Sequence, residues 1–116
     1  MDKTYVIKKN QEIDAIIRER KSIGNKYFVI YTKKYNETRS FRFAMSIGRK
    51  YGNAVSRNLM KRRIREIIRN NKELFINKDF VIVIKKESSQ LSFQEIEANL
   101  INLLRKVYQW KKEQYC

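Results

Sequence analysis

The feature of this sequence that most limits what it can fold into is a basic stretch from Arg49 to Arg69, which reads RKYGNAVSRNLMKRRIREIIR. It contains six of the chain's 11 arginines and two lysines, against a single acidic residue, Glu66. Early in the stretch stands Gly52-Asn53, a pair typical of a turn followed by a helix start. From there the apolar residues recur at helical spacing, which predicts one amphipathic helix that ends near Asn70-Asn71.

The predicted helix has one apolar and one cationic side. Its apolar side is formed by Met60, Ile64 and Ile67. The other side carries Asn58 and Arg62 next to an i, i+4 row of cations, which consists of Arg57, Lys61, Arg65 and Arg69. Like charges at this spacing destabilise a helix by about 0.2–0.5 kcal/mol per pair. The row therefore does not serve helix stability, and it predicts that a polyanion lies along that side.

The net charge of +15 on 116 residues limits the class of partner. Such an imbalance repels itself and is usually neutralised by nucleic acid, with an anionic membrane surface as the alternative. A genome rich in A and T would raise the lysine content, but it would not gather arginines in one stretch, so nucleic acid is predicted. The length is that of one domain, residues 1–116, and 42% hydrophobic residues suffice for a modest core.

The sequence offers few groups for catalysis. It has no histidine, so the commonest general base and metal ligand are missing. Its aspartates, Asp2, Asp14 and Asp79, are far apart and form no two-metal carboxylate motif. Gly52-Asn53 lacks the further glycines and the Lys-Ser/Thr pair of a phosphate-binding loop. We therefore expect no catalytic residue and no metal site in the protein, which argues against a protein-only nuclease.

The cysteine content and the apolar runs indicate a compartment. Cys116 is the only cysteine and has no internal partner for a disulfide, which fits a reducing environment. Residues 1–10 contain no apolar run typical of a signal peptide. The longest apolar run, Phe80 to Ile84, is too short to span a bilayer. We expect a cytoplasmic protein without a membrane partner.

The N-terminal half is predicted to contain one helix and two strands. Asn10 suits an N-cap, and the helix that follows to about Arg20 has an apolar stripe formed by Ile13, Ile16 and Ile17. A connector over residues 22–25 leads to a strand at Tyr27–Thr32, and the alternation in FRFAMSI predicts another at Phe41–Ile47. Because a polar turn at residues 33–40 joins these strands, an antiparallel hairpin is predicted.

The C-terminal half adds one strand and one helix. DFVIVI, from Asp79, is apolar at every position after the first, which predicts an interior strand covered on both faces. Ser92 and Glu95 form a capping box, and the helix behind it has an apolar stripe formed by Ile96, Leu100, Leu103, Leu104 and Val107. The predicted class is α+β, an α/β sandwich of three helices and a mixed sheet of about four strands, in the order α-β-β-(β)-α-β-α.

Aromatic residues on the first strand have two interpretations. Strand alternation places Tyr27 and Tyr31 on one face, and Phe28 on the other. Sheet-borne aromatic rings stack unpaired bases in several RNA-binding modules. Phe41 and Phe43 are interpreted as core, whereas core packing and base stacking are both open for the tyrosines.

The basic stretch also carries a long motif. Its matching positions are Lys50, Gly52, Ala54, Val55, Arg57, Asn58, Lys61, Arg62, Arg65 and Glu66. At this spacing it resembles the signature of the protein subunit of bacterial ribonuclease P, approximately K-x-G-x-A-V-x-R-N-x-x-K-R-x-x-R-E. The segments KKNQEIDAII, NKYFVIYT, RFAMSI and DFVIVI and the final helix also fall where that family has them, so the resemblance covers essentially the whole chain.

The resemblance implies a small α/β sandwich with a left-handed βαβ crossover. It implies that the partner is the catalytic RNA of ribonuclease P, which cuts the 5′ leader from precursor tRNA with Mg²⁺ held mainly by the RNA and the substrate. The protein would raise the affinity for substrate and for functional metal ions, and no DNA partner is expected. The contacts to the catalytic RNA that the resemblance implies are Arg57, Asn58, Lys61, Arg62 and Arg65. The basic stretch adds Arg49, Lys50, Asn53 and Arg69 as predicted contacts.

The second implied site is a cleft between the first helix and the sheet, which holds the single-stranded leader. Its positions on this chain are Ile13, Ile17 and Tyr31, to which strand alternation adds Tyr27. Many members carry Phe where this chain has the two isoleucines, which cannot stack as rings do, and often Ser where it has Gly48. The alternative function is a structural RNA-binding protein such as a small ribosomal protein, which charge and size fit equally well.

Overall fold

The computed structural model describes residues 7, 9–19, 21–32, 41–72 and 79–115, with side chains as far as residue 107. Its helices and strands, in chain order, are α1 (Asn10–Arg18), β1 (Ser22–Gly24), β2 (Phe28–Thr32), β3 (Arg42–Ile47), α2 (Ala54–Asn70), β4 (Asp79–Ile84) and α3 (Phe93–Tyr115). Short 3₁₀ segments at Arg49–Tyr51 and Lys86–Gln90 precede α2 and α3. The order α-β-β-β-α-β-α confirms the predicted α+β class, and the predicted extra strand is β1, in the segment expected to be a connector.

The sheet has the strand order β1-β2-β4-β3. β2 pairs antiparallel with β1 and with β4, whereas β3 and β4 are parallel and are joined through α2. The predicted hairpin between β2 and β3 is therefore wrong, because β4 lies between them; the turn predicted at residues 33–40 lies outside the described residues. β4 is apolar on both faces, which favours the central position over an edge. The handedness of the β3-α2-β4 crossover stays a prediction.

The main core lies between the sheet and the pair α2 and α3. Inward-facing rings on β3 and β4 stack with centroids 6.1–6.3 Å apart: Phe41, Phe43 and Phe80. The helices cover these rings with the fully buried residues of their apolar stripes, Met60, Ile64, Ile67, Ile68, Ile96, Leu100, Leu103, Leu104 and Val107. Both predicted helical stripes are confirmed, and Ile68 extends that of α2. This packing fixes which side of α2 faces outward.

A smaller core lies on the opposite face of the sheet, under α1. Its buried members are Ile7, Ile16, Ala44 and Val81. The other residues of this cluster are only half-buried: Ile13, Ile17, Tyr31 and Val83. One short helix therefore leaves part of this face accessible, whereas two longer helices cover the other face.

The N-termini of α1 and α3 are capped differently. α1 has Lys9 at its N-cap and no side-chain cap, so the prediction of Asn10 as the cap is wrong by one residue. α3 has the predicted capping box: the Ser92 N–H donates to Glu95 at 3.0 Å, and the Glu95 N–H donates to the Ser92 hydroxyl at 3.2 Å. These hydrogen bonds lower the pKa of Glu95. α3 is thus fixed by its cap and its stripe, whereas α1 depends on its tertiary contacts.

We expect Ile64→Ala to lower the free energy of unfolding by about 2–5 kcal/mol, because it opens a cavity under the centre of α2. Ile64 is 0% exposed, whereas Val55 on the same helix is 77% exposed, so Val55→Ala is the matched control. Urea unfolding followed by circular dichroism measures both. Equal stability of the two variants would contradict the placement of the apolar side of α2.

Candidate nucleic-acid interface

The basic stretch begins with a turn that only certain residues can form. Gly52 adopts φ 158° and ψ −165° between the 3₁₀ segment and α2, a backbone conformation that is essentially restricted to glycine. The next residue, Asn53, caps α2 by accepting a hydrogen bond from the Ser56 N–H at 2.9 Å. The predicted turn and helix start are confirmed, and α2 begins immediately behind the turn.

Tyr51 attaches this turn to the body of the protein, a role that sequence reasoning missed. Its ring is half-buried and packs against the main core. Burial raises the pKa of the Tyr51 phenol, and the nearby positive charge of Arg63 opposes that change. Tyr51 therefore stays uncharged at neutral pH, and it holds the turn by apolar contact.

The side of α2 opposite the core presents the cations, as the helical spacing predicted. Arg62, Arg65 and Arg69 are exposed together with Asn58, and Arg57 and Lys61 are half-buried. The remaining predicted RNA contacts, Arg49, Lys50 and Asn53, are exposed in the turn before the helix. We call these nine residues the basic surface. Because the sheet covers only the apolar side of α2, the basic surface is continuous from the turn along the helix.

Within the basic surface the cations are not equivalent. Arg69 donates from Nη2 to both carboxylate oxygens of Glu66 at 2.7 Å, which partly neutralises the end of the row. Arg62 and Arg65 line a recess of about 160 Å³ together with this ion pair. The Nε atom of Arg57 is buried and has no hydrogen-bond acceptor within the described part of the chain. Arg62 and Arg65 are thus exposed cations of α2 that form no ion pair within the described part of the chain, unlike Arg69.

Three of the four predicted cleft residues come together on the other face of the sheet. Ile13 and Ile17 project from α1 toward the strands, and Tyr31 of β2 joins them in the smaller core. The strand register places Tyr31, Val81 and Ala44 in one row across the sheet. All three cleft residues are half-buried, so they are packed in place and still accessible.

The next row of the sheet forms a floor that sequence reasoning did not identify. Register places Val29 opposite Val83 and Val83 opposite Ser46. Exposure rises along this row, from the half-buried valines to exposed Ser46. Ser46 is three residues before Arg49, so the floor leads from α1 toward the basic surface. Val29 lies two residues before Tyr31 on the same strand face, but only the strand order shows that Val83 and Ser46 lie beside it.

The structure does not bring Tyr27 to this cleft. The Asn25 side chain accepts hydrogen bonds from the N–H groups of Tyr27 and Phe28 at 2.8 and 3.0 Å, which forms a turn before β2. Tyr27 therefore precedes the strand, and its ring packs against the main core on the opposite face. The Lys26 ammonium lies 5.9 Å from the ring centroid. The alternation that paired the two tyrosines is wrong for Tyr27, because regular strand geometry starts only at Phe28.

Among the described residues, no group of three or more His, Cys, Asp or Glu side chains is placed to hold a metal ion. None of the helices in this part of the chain combines the length and the apolar character needed to cross a membrane.

Comparisons with known proteins agree with this geometry. The sequence model of the family Ribonuclease P matches residues 1–108. The ribonuclease P protein component of Acholeplasma laidlawii is 44% identical over 115 residues, which cover 97% of each chain. That of Phytoplasma australiense is 43% identical over 112 residues, covering 92% of this chain and 94% of the relative.

Solved structures are similar over most of the chain. The RNase P protein of Staphylococcus aureus is 33% identical with a TM-score of 0.83, and the match covers 89% of this chain and 94% of that one. The RNase P protein of Thermotoga maritima is 31% identical with a TM-score of 0.80, covering 86% and 94%. The similarity therefore extends to the fold.

We expect Gly52→Ala to lower the free energy of unfolding by about 1 kcal/mol or more, because alanine is strained at a positive φ. Gly48→Ala is the matched control, since Gly48 has an ordinary φ of −85° and no atom within 4 Å of an added Cβ. Thermal unfolding compares the two. Equal losses in both variants would contradict the requirement for glycine at the turn.

Proposed function

The chain belongs to the ribonuclease P protein family, and we propose that it binds the catalytic RNA with its basic surface and the 5′ leader of precursor tRNA with its cleft. It is a subunit of ribonuclease P, the endoribonuclease that forms the 5′ ends of tRNAs. The observation that supports two separate binding sites is that α2 and α1 pack on opposite faces of one sheet. α2 holds the basic surface on one side, and the open floor beside α1 leads to it from the other.

Binding of the catalytic RNA follows from the exposed charges. Arginine and lysine displace counterions from phosphates, which gives affinity that falls steeply with salt concentration. Arg62 and Arg65 also offer planar guanidinium groups that hold a phosphate through two hydrogen bonds, which lysine cannot do. The Asn53 cap and the Gly52 turn present these groups in fixed positions. The basic surface is therefore preorganised for a folded RNA backbone.

Leader binding follows from the half-buried character of the cleft. A single-stranded RNA exposes unstacked bases and sugars, which pack against accessible apolar and aromatic side chains. Tyr31 supplies the ring, and Ile13 and Ile17 supply aliphatic contacts from α1. In this chain the cleft is more aliphatic than in relatives that carry Phe at the α1 positions. We therefore expect base stacking to contribute less to leader binding.

The reaction itself is assigned to the RNA. The protein has no histidine, and the described residues form no group that fits a metal ion. We propose that Mg²⁺ is held mainly by the RNA and the substrate, and no step is assigned to a metal on the protein. We also propose that the protein acts in the cytoplasm and has neither DNA nor a membrane as partner. The ribosomal-protein alternative is not favoured by the family match.

We expect Arg65→Ala to weaken binding of the catalytic RNA by about 1–3 kcal/mol and to reduce the salt slope by about one. The fold should persist, because Arg65 is exposed. Filter binding over a series of salt concentrations measures both quantities. Arg105→Ala is the matched control, since Arg105 is also exposed but lies on α3. Equal losses in both variants would show that net charge, not the basic surface, determines affinity.

We expect Tyr31→Ala to weaken holoenzyme binding of precursor tRNA by about 1–3 kcal/mol, the usual contribution of one base stacked on an aromatic ring. Tyr27→Ala should leave this affinity unchanged, because Tyr27 lies on the opposite face of the sheet. Both tyrosines are half-buried, so the pair is matched for exposure. A larger loss of affinity with Tyr27→Ala would indicate that the leader binds on the opposite face of the sheet.

A further inference from the structure

A network of three charged side chains joins α1 to the sheet. Arg42, the first residue of β3, donates from Nη2 to Asp79 Oδ2 at 2.7 Å and from Nε to Asp79 Oδ1 at 3.2 Å. Its Nη1 donates to Glu12 Oε2 at 3.2 Å. The three residues come from β3, β4 and α1, so a single guanidinium connects three elements.

The two halves of the network differ in burial and therefore in role. The Asp79 side chain is 7% exposed, and its two-pronged contact fixes both the plane and the position of the guanidinium. The Glu12 side chain is 39% exposed, and Arg42 reaches it with one nitrogen. Arg42 is thus held to the sheet by two hydrogen bonds, and Glu12 is the more exposed partner that α1 brings to it.

α1 has few other attachments among the described residues. Ile16 is its only fully buried side chain, and its N-terminus lacks a side-chain cap. Ile13 and Ile17 are half-buried and border the accessible part of the sheet. The apolar attachment of α1 thus consists of one buried and two half-buried isoleucines, and the ion pair in its first turn adds a polar attachment to the sheet.

The network lies at the closed end of the cleft. Arg42 is paired with Asp79 in the first row of the β3–β4 register, Ala44 with Val81 in the covered row, and Ser46 with Val83 in the open floor. At about 3.3 Å per residue, Arg42 is about 13 Å from the open end. Two carboxylates outnumber one guanidinium here, so the network does not attract phosphate. Its effect on RNA must come through the position of α1.

We propose that Arg42 and Glu12 are positioning residues that fix the angle of α1 over the sheet and so set the width of the leader cleft. This inference rests on the proposed leader site, but the attachment of α1 itself does not depend on RNA. Loss of Glu12 therefore has two separable consequences, one in the free protein and one in the holoenzyme.

The first test follows amide hydrogen exchange in the free protein. Glu12→Ala should speed exchange in α1 about two- to fivefold, the range expected for a partly exposed ion pair, and leave β2 and β4 unchanged. Asp14→Ala is the matched control, since it removes the same charge from an exposed position on the same helix. Equal exchange in α1 for both variants would overturn the attachment.

The second test measures holoenzyme affinity for precursor tRNA and for the same tRNA without its leader. Glu12→Ala should weaken leader-bearing substrate about two- to fivefold and leave leaderless tRNA unchanged, whereas Asp14→Ala should change neither. Arg42→Lys keeps a charge beside Asp79 but cannot bridge both carboxylates. It should therefore also weaken binding of the leader-bearing substrate and leave binding of leaderless tRNA unchanged.

The outcomes separate this inference from the proposed function. If Glu12→Ala speeds exchange in α1 but does not weaken binding of the leader-bearing substrate, the positioning role is overturned and the leader site is not affected. Equal losses on both substrates would overturn it too, since they indicate a general structural defect. A wild-type holoenzyme that does not distinguish the two substrates would overturn the leader site itself, and the positioning role with it.

Discussion

The structure depends on the burial of the apolar side of α2 against the sheet. Each of Ile64, Ile67 and Ile68 is fully buried, and burial of one such side chain contributes about 1.5–3 kcal/mol. Each like-charge pair along the outer side costs only about 0.2–0.5 kcal/mol. Packing therefore determines the orientation of the helix, and the cations are held outward although they repel one another. A charged row that is unfavourable for the free protein becomes favourable when phosphates lie on it.

The two faces of the sheet are covered unequally, and the face beside α1 therefore remains partly accessible. α2 and α3 seal one face with two apolar stripes, whereas α1 covers only part of the other with one buried isoleucine. The accessible remainder includes the half-buried Val29 and Val83 and the exposed Ser46, and it leads to the turn before the basic surface. An incompletely covered face would be a liability in an isolated protein, but it suits single-stranded RNA, which offers bases in place of a missing helix.

Local patterns in the sequence predicted those features that depend on local chemistry. The helix start at Gly52-Asn53, the Ser92–Glu95 capping box and the stripes of α2 and α3 follow from helical spacing and hydrogen-bonding groups close in sequence. The resemblance to ribonuclease P proteins gave the cleft residues on α1. The strand order was not predictable from spacing: a short polar turn suggested that β2 and β3 pair, but β4, apolar on both faces, takes the position between them. Tyr27 was misplaced because an Asn25 turn interrupts the alternation, and Val83 and Ser46 were missed because cross-strand neighbours depend on the strand order.

We propose that the protein binds RNA and that the RNA partner catalyses cleavage. The decisive experiment compares cleavage of precursor tRNA by the protein alone, by the ribonuclease P RNA of the same organism alone, and by both, at physiological salt. We expect no cleavage by the protein alone, and a higher rate or a higher substrate affinity with both components than with the RNA alone. Metal-dependent cleavage by RNA-free protein, or no gain when the protein is added to the RNA, would contradict it.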